Sequence, residues 1–154
     1  MLTAQIKEIG DTLLPMHLVV MLCGIICGYK YGLTVGFALP FVRSALFSMP
    51  VLFPNSVWMS FELATYGLVI GLLYDHFGRK NLLNLYLTLI VTMLSGRIVW
   101  GITKAVLLAS LGIEFTYQAF LIGAFADAVP GIVLQFIIIP VVVIRLKIKT
   151  DKEV

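Results

Sequence analysis

Apolar residues in this chain do not alternate with polar ones; they run in long blocks separated by short polar breaks. Five blocks reach or approach the roughly 20 residues that a helix needs to cross a bilayer. They span about Leu13 to Tyr29, Tyr31 to Met49, Val57 to Tyr74, Leu82 to Ala109 and Tyr117 to Ile144. The pattern predicts a single transmembrane domain over residues 1–154, an all-α membrane protein built as a five-helix transmembrane bundle, with a basic tail at 145–154. The last two blocks exceed the minimum, so tilt or kinks at Pro130 and Pro140 would accommodate them. Only Tyr29-Lys30-Tyr31-Gly32 joins the first two, which predicts a tight antiparallel pair.

Composition agrees with lipid as the main solvent. Hydrophobic residues make up 60% of the chain and charged residues 12%, with a mean hydropathy of +1.04. That is too little charge to cover a soluble domain of 154 residues. The net charge of +3 sits at helix ends and forms no stripe suited to nucleic acid. Cys23 and Cys27 are four apart on one helix face, without the C-x-x-C spacing of redox or zinc sites, and read as packing residues. Residues 1–12 lack the apolar core of a signal peptide.

Basic residues beside spans are retained in the cytoplasm, and here they orient the chain. Lys30, the Arg79-Lys80 pair, and the tail residues Arg145, Lys147, Lys149 and Lys152 all fall on one side of the membrane. The opposite loops, at 50–56 and 110–116, contain neither Lys nor Arg. The expectation is a multi-pass protein of the cell membrane with a cytoplasmic C-terminus. Five spans then put the N-terminus outside, and a preceding helix lost by truncation or a late start would restore both ends to the cytoplasm.

Ionisable residues at membrane depth are costly and face a cavity or a partner. His17, Arg43, Glu62, Arg97, Lys104 and Asp127 fall inside the apolar blocks. At a rise of about 1.5 Å per residue, the charges of Arg43, Glu62, Arg97 and Asp127 converge on the outer half of the bilayer from different helices. Trp100 follows one turn beyond Arg97. A pore or proton relay needs polar groups across the full depth. A one-sided cluster fits a pocket open to the outside, whereas ion pairs of Arg43 with Glu62 and Arg97 with Asp127 would knit helices together. His17 and Lys104 lie near enough to the outer interface to snorkel. The uncharged loop Met49–Ser56, with Pro50 and Pro54, suits either a lid or a stiff interfacial turn.

Gly24 and Gly28, Gly32 and Gly36, Gly67 and Gly71, and Ala124 and Ala128 recur at four-residue spacing, as in close helix packing. The glycine pairs serve either the bundle itself or docking of another membrane subunit. Gly71-Leu72-Leu73-Tyr74-Asp75-His76-Phe77-Gly78-Arg79-Lys80 has the look of a major-facilitator loop, but that fold needs about twice these spans as repeated halves. No phosphate-binding loop, H-E-x-x-H or G-x-S-x-G is present, so neither an enzyme nor a metal or cofactor site is expected, and any ATP hydrolysis belongs to another chain.

Six phrases carry a family resemblance: Leu14-Pro15-Met16-His17, Cys23-Gly24-Ile25-Ile26-Cys27-Gly28, Pro40-Phe41-Val42-Arg43-Ser44, Phe61-Glu62-Leu63-Ala64-Thr65-Tyr66-Gly67, Gly96-Arg97-Ile98-Val99-Trp100-Gly101 and Ala128-Val129-Pro130-Gly131-Ile132-Val133-Leu134-Gln135. In this order, over nearly the whole chain, they resemble the substrate-specific S components of energy-coupling-factor (ECF) transporters, in the pantothenate-like or unassigned vitamin branch. The resemblance implies a six-helix fold, here without its first helix, and a vitamin or precursor bound near the outer face. It also implies a membrane coupling subunit and two cytoplasmic ATPases as partners. By that resemblance Arg43, Glu62, Arg97, Trp100 and Asp127 line or support the pocket. A free-standing channel or secondary carrier, and a non-transporting membrane scaffold, are the competing classes.

Overall fold

A computed structural model describes residues 16–48, 51–78, 81–112 and 129–150. Helix α1 covers Met16–Cys27 and α2 covers Tyr29–Phe47. Helix α3 covers Asn55–Leu73 and runs on into a π-helical turn, Tyr74–Gly78. Helix α4 covers Leu82–Ser110 and α5 covers Val129–Thr150. The described residues contain no strand. Two helical stretches, Asn55–Phe77 and Leu82–Ser110, are long and apolar enough to cross a membrane; Met16–Cys27 and Ile132–Arg145 are apolar but shorter.

The break between α1 and α2 falls at Gly28, not within Tyr29–Gly32. Gly28 has φ 92°, a conformation that costs glycine little and other residues much. Gly32 is thereby left inside α2, where it is needed for packing. At its other end α2 closes on Ser48, whose N–H donates to the Ser44 carbonyl at 2.9 Å.

Glycine sets the register of α2 on α3. The two helices run antiparallel, with Gly36 against Leu63, Gly32 against Gly67 and Tyr29 against Gly71. A Cβ on Gly32 would lie 2.6 Å from the Gly67 carbonyl oxygen, and one on Gly67 would fall onto the Gly32 carbonyl. Gly24 of α1 enters the same seam, where a Cβ would stand 2.7 Å from that Gly67 oxygen. In lipid, such close backbone approach supplies the dispersion attraction that holds helices together. Gly24, Gly32, Gly36, Gly67 and Gly71 are therefore buried within the bundle, which removes them as an exposed docking surface.

The core draws Val20 and Met21 from α1, Leu63 and Ile70 from α3, Leu89 from α4 and Ile139 from α5. The exterior is equally apolar: Leu46, Leu83 and Val106 are 71%, 70% and 65% exposed. Helices apolar all round, with a carboxylate and an imidazole among the buried groups, have the polarity of a bundle solvated by lipid. Buried hydroxyls on α3 and α4 are satisfied locally, Ser60 donating to the Ser56 carbonyl at 2.6 Å and Thr92 to that of Thr88 at 2.7 Å. Before α3, the Ser56 amide and hydroxyl both donate to the Val51 carbonyl, at 3.1 and 3.2 Å, which ties the preceding turn to the helix start.

Candidate functional site

Trp58, Glu62 and Tyr66 are spaced by four on α3 and so share one face. That face meets α4 running the opposite way. Tyr66 lies against Gly96, Glu62 meets Arg97, and Trp58 meets Lys104. The seam is thus layered, with an aromatic ring at mid-depth, an ion pair above it and a cation among indoles at the end.

Glu62 is the centre of the middle layer. Its Oε1 lies 3.2 Å from Arg97 Nη1 and 3.7 Å from His17 Nε2, and it accepts the Tyr66 hydroxyl at 3.0 Å. Glu62, Tyr66 and His17 are each 2% exposed. A bare carboxylate at such a position would carry a large desolvation penalty; a guanidinium and the Tyr66 hydroxyl on the same oxygen offset it. The His17 ring also meets the Tyr66 ring edge-on, with centroids 5.3 Å apart. Three helices, α1, α3 and α4, therefore converge on one oxygen.

Gly96 makes this possible. A Cβ there would overlap the Tyr66 ring, 2.6 Å from its Cδ1. Without a side chain at Gly96, the ring lies flush on α4 and Arg97, the next residue, comes level with Glu62. At the opposite end of the same seam, an open groove of about 270 Å³ is lined by Leu73, Phe77, Asn84, Leu87, Thr88 and Val91. It is apolar and distinct from the charged layer.

The family model for the substrate-specific component of ECF transporters matches residues 2–143. The chain belongs to this family. No curated protein and no solved structure gave a match. As an S component the chain is a membrane protein and a substrate-binding transporter subunit, and membership implies that it associates with the ECF membrane and ATPase subunits.

Among the site residues expected of this S component from sequence, the structure joins Glu62 directly to Arg97 and sets Trp100 one turn further on α4, 8% exposed. Arg43 is half-buried, one turn before α2 ends at Phe47. Asp127 lies outside the described residues. The ion pair weighed from sequence between Arg43 and Glu62 gives way, on the Glu62 side, to one with Arg97, while a pair of Arg97 with Asp127 falls outside the described residues. Of the two residues read as snorkelling, His17 is placed otherwise. His17 is buried on Glu62, and the Lys104 ammonium lies 4.6 Å from the Trp100 ring centroid and 5.4 Å from that of Trp58. Tyr66, Gly96 and Trp58 were not singled out from sequence. The spacing Glu62-x-x-x-Tyr66, an acceptor and a donor on one helix face, was the available signal.

Proposed function

We propose that this S component captures a vitamin or vitamin precursor from outside the cell and passes it to ATP-driven import powered by its partner subunits. The observation that carries the reading is the convergence of Glu62, Arg97, Tyr66 and His17 at one end of the bundle, beside Trp100. Toward the other end the α3–α4 seam is filled by Ile70, Leu85 and Leu89. Charge confined to one half suits a pocket entered from one side and not a continuous pore. The basic residues Lys30, Arg79, Lys80 and Arg145 favour the opposite end as cytoplasmic, in a multi-pass arrangement with a cytoplasmic C-terminus.

In this reading Arg97 and Arg43 meet an anionic or carbonyl group of the ligand, and Trp100 gives it an apolar face. All three contacts of Glu62 go to Oε1, and among the described residues none is made to Oε2. That second oxygen is the acceptor offered to a ligand hydroxyl or amine.

The test is a thermal-shift screen of the purified protein in detergent against water-soluble vitamins and their precursors. Saturable stabilisation by one compound, abolished in Arg97→Ala and Arg43→Ala proteins that still fold, supports the reading. Silence across the panel from folded protein would move Glu62 and Arg97 to a purely structural role.

A further inference from the structure

We infer that the groove between the end of α3 and the start of α4 binds one glycerophospholipid of the surrounding bilayer. The acyl chain lies along its apolar walls, and an ester carbonyl meets Asn84 and Thr88. On α4 the groove runs from Asn84 to Val91, about 10 Å along the axis, with Leu73 of α3 and Phe77 of the π-helical turn opposite. A volume of about 270 Å³ over that length admits a single hydrocarbon chain, whereas a helix of another subunit is about 10 Å across and does not fit. Phe77, Leu87 and Val91 are exposed, so the groove opens onto the exterior and lipid reaches it directly.

Two polar side chains interrupt these walls. Thr88 is 3% exposed, and it departs from the local satisfaction of the other buried hydroxyls on α3 and α4. Ser60 and Thr92 each donate to the carbonyl one turn back, but among the described residues the Thr88 hydroxyl has no hydrogen-bond partner. Asn84, one turn earlier on the same face, is half-buried, and its carboxamide is likewise unpaired among them. A buried hydroxyl without a partner is destabilising, and an acceptor oxygen entering the groove removes that cost. Hydrocarbon alone offers no such oxygen. An ester carbonyl does, and an ester brings no N–H or O–H that needs an acceptor in return. Depth agrees with this assignment. Arg79 and Lys80 stand just before α4 in the sequence, which places the polar boundary of the bilayer at this end. Asn84, the third residue of α4, is then level with the glycerol esters, and Val91 lies about 10 Å deeper, among the chains. The headgroup stays outside the groove. The inference needs only a chain embedded in lipid and is independent of the capture reading.

The experiment is native mass spectrometry of the full chain, stripped of lipid in detergent and titrated with phosphatidylglycerol, phosphatidylethanolamine and the diether analogue of each. One ester lipid should be retained per chain, with the two headgroups binding alike. The diethers, which lack the carbonyl oxygens, should bind roughly 5-fold more weakly, the worth of one hydrogen bond. Thr88→Val keeps the shape of the side chain and removes its hydroxyl. It should bring ester binding most of the way down to the diether level and leave diether binding unchanged. Leu87→Trp, which fills the groove from its exposed side, should weaken both. Equal binding of ester and diether, unchanged ester binding in folded Thr88→Val, or a preference set by the headgroup alone would overturn the inference. So would folded protein that retains no lipid, an outcome that leaves the groove to a side chain of a partner subunit.

Discussion

Arg97 on α4 places its Nη1 3.2 Å from Oε1 of Glu62 on α3, on the same oxygen that accepts the Tyr66 hydroxyl. One carboxylate oxygen thereby fixes both the separation and the register of two antiparallel helices. The pair is buried on the Glu62 side, while the Arg97 side chain keeps 13% of its exposure.

Removing one member of this pair strands the other. Glu62→Ala leaves Arg97 and the Tyr66 hydroxyl without their acceptor, at a cost of about 3–5 kcal/mol. Arg97→Ala should be similarly damaging. The double variant should cost less than the two single losses together, by about 1–3 kcal/mol, because each change removes the same interaction. Unfolding of the four proteins in one detergent measures the cycle, and strict additivity would show that the contact contributes nothing to stability.

Tyr66 and Gly96 should be coupled. Tyr66→Phe keeps the ring but removes the hydroxyl donor to Glu62, costing about 1–3 kcal/mol. Gly96→Ala drives a methyl into that ring, and overpacking of this kind costs about 1–3 kcal/mol. Ligand affinity in Gly96→Ala should also fall, since relieving the overlap moves either the Tyr66 ring off Glu62 or α4, with Arg97, away from it. Unchanged stability and affinity in Gly96→Ala would show that the seam accommodates the methyl.

Two glycines should respond differently to alanine. Gly67→Ala forces the α2 and α3 backbones apart at the Gly32 carbonyl, and the bundle should lose most of its thermal stability. At Gly28 nothing lies within 4 Å of an added Cβ, and only the φ of 92° resists the change. Gly28, with φ 92° and ψ 169°, lies in a region essentially only glycine adopts, so Gly28→Ala should cost about 1–3 kcal/mol from backbone strain alone. Melting temperatures of the two variants give the order directly.

Cys27 is exposed in the last turn of α1, beside the Gly28 break. With that hairpin on the cytoplasmic side, a membrane-impermeant maleimide should label Cys27 in a Cys23→Ala background only after cells are opened. Labelling of intact cells to the same extent would reverse the proposed orientation.

The sequence by itself determined that the chain is helical and that lipid surrounds it, and it raised the expectation that its charges gather toward one half. Those properties follow from the length of apolar blocks and the positions of Lys and Arg along them, both of which are local. Recurring phrases from Leu14 to Gln135 also carried the family. Only the tertiary structure decided that Gly28 breaks the first hairpin, that Gly32 packs on Gly67, and that Glu62 holds Arg97, Tyr66 and His17 together. The same holds for the placement of the Lys104 ammonium against the Trp58 and Trp100 rings. Helical periodicity tells which residues share a face of one helix. Which face of a neighbour they meet depends on crossing angle, rotation and register, and here these follow from contacts between helices, such as Gly32 on Gly67 and Tyr66 on Gly96, that no single helix specifies.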